Sequence, residues 1–332
     1  MREDILNLLK RQQGQFVSGE ELSRMLNVSR TAVWKHIQAL REEGYRIESF
    51  SKLGYRLEGV PDKMLPQEIA NGLNTKSLGK NIIFFEEIES TNIEAKKRAD
   101  QHSPEGLMVI AESQTGGKGR LGRSWLSPAG KGLWFSLILR PPISPLEAGQ
   151  ITLVAAIAIT QVLREQYFLP AGIKWPNDIL LNSKKVCGIL TEMKAEADAV
   201  NYLVLGIGIN VNLQEADFPE DVRTTATSLA IEQGRQLNRV KLLQTILEAL
   251  EKLYYSYLED GFGPVLELWK SYNVTLGKEV KITTWQNTLS GKAVDVDAAG
   301  GLVVLLPDGS SQTFYSGDVT LKESRQSSVT SN

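Results

Sequence analysis

Three changes of texture along the chain predict an α+β multidomain fold. It comprises an N-terminal winged helix-turn-helix, a central mixed-sheet α/β domain and a C-terminal SH3-like small β-barrel. Residues 1–62 alternate capped helical stripes with a hairpin pattern. Residues 63–274 interleave apolar strand-like runs with long helical ones. Residues 275–322 turn to short alternating runs parted by glycine-rich turns. Residues 323–332 are polar and expected to be disordered. The 332 residues, 42% of them hydrophobic, suffice for two or three domains with a sizeable core.

In the first module Ile5, Leu8 and Leu9 mark a helix over 4–12. Ser18 and Glu21 form a capping box that opens a second, short helix carrying Leu22, Met25 and Leu26. Asn27-Val28 turns the chain. Ser29 caps a third helix over 30–43, with Val33, Ile37 and Leu40 on one face and Gly44 as its stop. Two alternating runs, 45–50 and 55–58, then form a hairpin. This order is that of a winged helix-turn-helix, whose second motif helix places its N-terminal side chains in a DNA major groove. Ser29, Arg30, Thr31, Trp34 and Lys35 on that helix, and Lys52 and Arg56 on the wing, are the candidate DNA contacts. Residues 28–56 hold six cations against three acids.

After the linker at 59–62, strands are expected over 82–85, 107–111, 132–139 and 202–209. Helices are expected over 91–100, with Thr91 and Glu94 as a second capping box, and over 146–167, an apolar helix that should lie across the sheet. A further helical region covers 238–272, broken near Gly261-Phe262-Gly263-Pro264. Four alternating runs, 279–283, 290–296, 301–306 and 312–321, make the small barrel.

Composition narrows the chemistry. The net charge of −2 argues against a wholly basic nucleic-acid coat. The one cysteine, Cys187, excludes an intrachain disulfide and a cysteine-based zinc site, and His36 and His102 are too few for a histidine-rich metal site. The charged start Met1-Arg2-Glu3-Asp4 has no signal core, and no uninterrupted apolar run nears the ~18 residues that span a bilayer. A soluble cytoplasmic protein with no membrane partner is the expectation.

The richest stretch is Gly116-Gly117-Lys118-Gly119-Arg120-Leu121-Gly122-Arg123. Gly117, Gly119 and Gly122 fit G-x-G-x-x-G. A dinucleotide fingerprint also needs a helix at the third glycine and an acid about 20 residues on, and the sequence offers neither. Three cations so close together call instead for an anion, so the segment reads as a basic loop that closes over a phosphate or carboxylate. Four other stretches belong with it: Ser90-Thr91-Asn92, Lys174-Trp175-Pro176-Asn177-Asp178, the strand start Lys184-Lys185-Val186-Cys187-Gly188, and Gly206-Ile207-Gly208-Ile209-Asn210. Ser90 and Thr91 read equally well as helix caps. Lys174 and Lys185 read either as solvated lysines or, for Lys185, as a side chain held inward by Asp178. The set has no nucleophile–histidine pair for hydrolysis and suits the electrostatic handling of phosphates and carboxylates.

Taken in order, these five motifs resemble those of the biotin protein ligases. The winged helix ahead of them resembles that of the bifunctional bacterial members, which also repress the biotin operon. The resemblance spans about residues 1–322. It implies an ATP-dependent ligase that makes biotinyl-5′-AMP, with Mg²⁺ on the phosphates, and passes biotin to a lysine of the biotin carboxyl carrier protein of acetyl-CoA carboxylase. It further implies an adenylate-bound homodimer that sits on operator DNA and represses biotin synthesis. By motif position Ser90, Thr91, Asn92, Gln114, Gly117, Lys118, Gly119, Arg120, Trp125, Lys185 and Gly188 should hold biotin. Lys185, Arg120 and Asp178 should be catalytic: Lys185 on the reacting oxygens, Arg120 on the phosphate, Asp178 orienting the amine. Asn177, Asn210 and Trp134 should meet the nucleotide; no residue is expected to ligate a resident metal. Two positions depart from the pattern. Lys118 stands where the loop usually has arginine and cannot make its planar bidentate contact. Thr224-Thr225-Ala226-Thr227-Ser228 stands where some relatives have an adenine-covering tryptophan, so the adenine contact is left open. A lipoate–protein ligase would share the adenylation logic without the winged helix. A repressor without catalysis would not need Lys185, Asp178 and Arg120.

Overall fold

The structure, a computed structural model, describes residues 1–12, 14–196, 198–284 and 287–321. They fall into two compact units, Met1–Lys63 and the chain from Met64 onward. The tail 323–332, expected to be disordered, lies outside the described residues.

The first unit holds α1 (Arg2–Arg11), α2 (Gly19–Leu26), α3 (Arg30–Glu42), β1 (Arg46–Phe50) and β2 (Gly54–Gly59). The hydroxyl of Ser18 accepts from the Glu21 amide at 3.0 Å and that of Ser29 from the Ala32 amide at 3.1 Å, so each side chain satisfies an otherwise unpaired helix N–H. Asn27, at φ 53°, turns α2 toward α3, and Gly44, at φ 100°, ends α3. Ile5, Leu6, Leu9, Leu22, Val33, Ile37 and Leu40 form the core of this unit. The expected helix-turn-helix and wing are present, with α1 starting two residues earlier than its stripe suggested.

The second unit begins with α4 (Pro66–Ala70), β3 (Ile82–Ile88), α5 (Thr91–Asp100), β4 (Met108–Gln114), β5 (Gly132–Leu139) and α6 (Ala148–Glu165). Next come β6 (Gly172–Lys174), β7 (Asp178–Leu181), β8 (Lys184–Glu196), β9 (Ala199–Asn210), α7 (Leu229–Gln233), α8 (Arg239–Asp260) and α9 (Phe262–Tyr272). The seven strands of this part form one sheet in the order 3-4-5-9-8-7-6. Only β3 and β4 run parallel, so the sheet is mixed. The stretch Pro145–Glu165 is long and apolar enough to cross a membrane, yet 78% of it is buried inside the protein. It is the core helix across the sheet that its Ala- and Ile-rich sequence predicts.

Period-two alternation decides what each face of the sheet carries. On β9, Leu203, Leu205, Ile207 and Ile209 enter the main core beneath α6 and α8, as do Leu133, Phe135, Leu137 and Leu139 on β5. The intervening positions turn to the other face. There Val109, Ile138 and Val204 pack under Ala95 and Ala99 of α5, and the area beyond α5 is left open.

The unit closes with β10 (Glu279–Thr283), β11 (Thr288–Val296), β12 (Leu302–Leu305), β13 (Ser311–Phe314) and β14 (Asp318–Leu321), an antiparallel sheet in the order 13-12-11-10-14. The run expected as one strand over 312–321 is two. Gly317, at φ 148°, lies in the break between them. The core is continuous from the large sheet into this small one. Trp175 crosses between them: its amide donates to Thr275 Oγ1 at 2.9 Å and its indole to the Gly300 carbonyl at 3.0 Å.

One element was not foreseen, and one further expectation changes. The stretch 172–181 is a hairpin of two short strands, β6 and β7. The capping box of Thr91 and Glu94 is not made: Ser90 is the N-cap residue, and Glu94 pairs with Arg98 at 2.6 Å one turn on.

Candidate active site

On the open face of the sheet the alternating positions of β9 are Gly206, Gly208 and Asn210, with Gly188 beside them on β8. These glycines make room. A Cβ on Gly206 would overlap the amide of Asn92, and one on Gly208 would overlap the indole of Trp125. A Cβ on Gly188 would sit 3.1 Å from both Lys185 and Trp125. The glycine pattern in the sequence is therefore a seat for the Asn92, Trp125 and Lys185 side chains, which lie close over the backbone of the sheet.

The cleft over this floor measures about 1950 Å³. Its walls come from the 90–92 helix start, the basic loop, the β6–β7 hairpin, the 218–226 segment and the edge of the small sheet at Gly277–Glu279 and Gly317–Leu321. Among the expected residues Ser90, Thr91, Asn92, Gln114, Gly117, Lys118, Gly119, Arg120, Trp125, Asn177, Asp178, Lys185, Gly188 and Asn210 all line it. Trp134 does not. It is 1% exposed, packs edge-on against Trp125 with centroids 6.5 Å apart, and joins Leu213 and Phe218 in a cluster behind the wall. Trp125 takes the surface position because the loop carries it over the β5 residue.

The charged centre is Asp178, at the head of β7. Its Oδ1 meets Lys185 Nζ at 2.6 Å and its Oδ2 meets Lys174 Nζ at 3.7 Å. Lys185 is thus held inward by Asp178, and its ammonium also lies 5.1 Å from the centre of the Trp125 ring. The Lys185 backbone is fixed as well: its amide donates to the Thr225 carbonyl at 2.8 Å, and its carbonyl accepts from Thr227 at 2.9 Å. Sequence reasoning left Lys174 as a solvated residue, and the hairpin that brings it onto Asp178 was the element it missed.

The basic loop is a folded hairpin. Lys118 bridges Ser124, the Gly119 amide donates to the Arg123 carbonyl at 2.7 Å, and the Trp125 amide donates to Gly117 at 2.8 Å. Arg120 at its tip is partly buried. Desolvation pulls its guanidinium below the ordinary value, and the charges of Asp178 and Asp318 pull it back. Among the described residues Arg120 has no ion pair, so it is a cation already facing the cleft. Arg123 reaches Asp318 on β14 at 2.6 Å, tying the loop to the small sheet. That contact joins residues 195 apart in sequence, and no local pattern announces it.

A hydrogen-bond relay fixes the 90–92 wall. The Ser136 hydroxyl donates to Asn92 Oδ1 at 2.6 Å, and the Asn92 amide donates to Glu192 at 2.9 Å. Burial raises the Glu192 carboxyl, but hydrogen bonds from Lys96 and Asn92 outweigh it and hold it low. The Thr91 amide donates to Gln114 Oε1 at 2.8 Å, and Gln114 donates to Ser127 at 2.9 Å. Asn177 donates to the Ile189 carbonyl at 2.8 Å, and Asn210 donates to the Thr227 carbonyl at 3.0 Å, which fixes both side chains at the cleft wall. Cys187 is fully buried on the core side, and burial pushes its thiol up, which makes it inert. Among the described residues no group of three metal-binding side chains stands together.

In the N-terminal unit Ser29, Arg30, Thr31, Trp34 and Lys35 are exposed along the start of α3, and Lys52 is exposed on the wing. Arg56 differs from expectation. It pairs with Glu48 at 2.8 Å and with Glu58, and its guanidinium lies 4.6 Å from the Phe16 ring centre. It braces the wing rather than projecting from it.

Comparison with known proteins bears on both units. The sequence profile of the Biotin/lipoate A/B protein ligase family matches residues 84–210, an HTH domain matches 1–56, and a Biotin protein ligase C terminal domain matches 275–322. The chain is 43% identical over 321 residues to the bifunctional ligase/repressor BirA of Bacillus subtilis, covering 97% of this chain and 98% of that protein. It is 32% identical over 237 residues to the biotin–[acetyl-CoA-carboxylase] ligase of Paracoccus denitrificans, covering 69% of this chain and 98% of that protein. Among solved structures, the biotin protein ligase from Aquifex aeolicus in complex with biotin and ATP superposes with a TM-score of 0.63. It shares 32% identity and covers 74% of this chain and all of that one. With a basic loop over a lysine–aspartate pair, a glycine floor and a helix-turn-helix module in one chain, the protein belongs to the bifunctional biotin protein ligase/repressors.

Proposed function

We propose that the cleft joins biotin to AMP and then hands biotin to a carrier lysine. The observation that carries this reading is the arrangement of Lys185 and Asp178 with Arg120 in one cleft, beside glycines that seat Asn92 and Trp125. Biotin occupies the end walled by Ser90, Thr91, Asn92 and Gln114. Lys118 and Gly119 lie over it, Gly117 and Gly188 border it through backbone, and Trp125 forms its side. Its carboxylate lies toward Lys185. The carboxylate oxygen attacks the α-phosphorus of ATP, the bond to the β-phosphate oxygen breaks, and pyrophosphate leaves. Lys185 and Arg120 stabilise the charge that builds on the oxygens in transit. Mg²⁺ travels with the nucleotide phosphates, which is its usual mode alongside one or two carboxylates. Asn177 and Asn210 offer amide oxygens to the nucleotide, and Trp134 acts only by backing Trp125. The carrier lysine then attacks the mixed anhydride as the free amine, an amide forms, and AMP leaves; Asp178 orients the amine.

The N-terminal unit carries the second activity. Arg30, Thr31, Trp34 and Lys35 enter a major groove of operator DNA, with Ser29 capping the helix they stand on and Lys52 reaching a phosphate. The adenylate-bound protein acts there as a homodimer and represses the biotin biosynthesis operon. Both partners, the biotin carboxyl carrier protein and the operator, belong to the cytoplasm. The relatives named for ligase and repressor action support the pairing of the two units.

The test is incubation with labelled biotin, ATP and an acetyl-CoA carboxylase carrier domain. Label on the carrier supports the reading, and none refutes the ligase half. For the repressor half, Arg30→Ala with Lys35→Ala is expected to abolish the gel shift of DNA from upstream of the biotin synthesis genes while carrier labelling stays at the wild-type rate. An undiminished shift refutes the groove assignment.

Gly208→Ala tests the floor. Its new methyl meets the Trp125 indole, and overpacking of this kind costs about 1–3 kcal/mol. Roughly tenfold weaker binding of biotin and ATP by calorimetry is the expected result. Wild-type affinity for both would mean that Trp125 does not need its seat.

A further inference from the structure

We propose that Lys174 is a positioning residue for the amine-transfer step: it holds Asp178 in place when Lys185 is drawn off to the anionic ligand. The proposal rests on the adenylation reading above. Lys174 ends β6 and Asp178 begins β7, and the two are paired directly across the hairpin. Each oxygen of Asp178 has its own cation, Lys185 at 2.6 Å on one and Lys174 at 3.7 Å on the other. The Asp178 side chain is only 14% exposed, so solvent does little to compensate its charge. Lys185 is the more exposed of the two. It stands on a different strand, is a third exposed, and shares itself between Asp178 and the Trp125 ring.

An incoming carboxylate or phosphate competes for Lys185. Once Lys185 turns to it, Asp178 faces a like-charged ligand, and like charges at this range repel. Asp178 must nonetheless remain in position to receive the carrier amine. Lys174 is one-fifth exposed, anchored on the same hairpin as Asp178, and not otherwise engaged by an acid among the described residues. It is the cation that stays. Adenylate formation, carried by Lys185 and Arg120, depends on it little; transfer, carried by Asp178, depends on it more.

The experiment separates the two half-reactions on the full-length protein. Pyrophosphate release from biotin and ATP without carrier reports the first. Single-turnover transfer from preformed adenylate to the carrier domain reports the second. Lys174→Met is expected to slow transfer about tenfold, within the range of coupling between polar neighbours, and to leave pyrophosphate release within about threefold and the KM for ATP unchanged. Lys174→Arg should restore most of the transfer rate. In an Asp178→Asn background, Lys174→Met should add no further loss, because the group it serves is gone. Should Lys174→Met melt early, Lys174→Gln is read the same way. Equal losses in both half-reactions, a raised KM for ATP with transfer intact, or additive losses with Asp178→Asn would overturn the proposal. The last but one result would make Lys174 a nucleotide contact. Failure of the adenylation reading itself is distinct: it appears as no pyrophosphate release by the wild type.

Discussion

Lys185→Ala is expected to lower biotinyl-adenylate formation at least about a hundredfold, the scale seen when one electrostatic stabiliser is removed from a transition state. The melting temperature should stay near that of the wild type. The two halves of this expectation have different sources. The Lys185 ammonium is the cation nearest the glycine floor, and its ion pair with Asp178 and its approach to Trp125 aim it there. The backbone of Lys185 is held by Thr225 and Thr227, contacts that an alanine keeps. The side chain is a third exposed and Asp178 keeps Lys174 near its other oxygen, so the fold loses little. Pyrophosphate release measures the first half and thermal unfolding the second. Turnover at the wild-type rate would remove Lys185 from the chemistry. A collapse in melting temperature would make its role structural. Lys185→Arg is a sharper control. It should recover only part of the rate although it keeps the charge.

The parts of this molecule that sequence made legible are those where local physics acts alone. The caps at Ser18 and Ser29 and the stop at Gly44 depend on residues within four positions, and each forms, although of the box expected at Ser18 and Glu21 only the serine's half is made. The glycines of β9 announce themselves because a strand interior has no other reason to lack side chains. What they admit was not legible: Asn92 and Trp125 come from 114 and 83 positions away, counting from Gly206 and Gly208. The β6–β7 hairpin escaped notice because β6 has three residues and β7 four, too short for a period to show. Trp134 was placed on the ligand by motif position. Only the path of the loop decides that Trp125 lies in front of it. The box expected at Thr91 failed one residue early, because Ser90 precedes the helix and Glu94 has Arg98 to pair with. Arg56 looked like a free wing cation until the strand pairing set it opposite Glu48. Long-range charge pairs form the least legible class. Arg123 with Asp318 and Arg239 with Glu112 each join elements more than a hundred residues apart.

The second of those pairs gives the largest expected loss of stability. Glu112 ends almost wholly buried on β4. Its Oε1 accepts from the Met64 amide at 2.6 Å, and its Oε2 accepts from the Gly130 amide at 3.1 Å and from Arg239 Nη1 at 3.1 Å. Arg239, fully buried at the start of α8, also donates to the Gly132 carbonyl at 3.2 Å. One carboxylate therefore ties together the entry to the large unit, the turn into β5 and the first turn of α8. Glu112→Leu takes away that acceptor from one buried and one partly buried amide and removes the carboxylate facing a guanidinium that water does not reach. Breaking a buried pair from one side costs about 3–5 kcal/mol, which for a unit of this size lowers the melting temperature by on the order of 10 °C. Replacing both partners should hurt less than replacing one. In Glu112→Leu with Arg239→Leu the charge is gone from both sides; the amides lose an acceptor and the Gly132 carbonyl a donor, but no unpaired charge stays buried, so the double variant should melt above Glu112→Leu alone. Glu112→Gln should fall between wild type and Glu112→Leu, since its amide oxygen can serve only part of the three donors. Calorimetry of the four proteins decides it: a Glu112→Leu transition within a degree or two of wild type would show that the pair is not what holds these elements together, and a double variant that melts below Glu112→Leu would show that the apolar replacement fails for reasons of shape rather than charge.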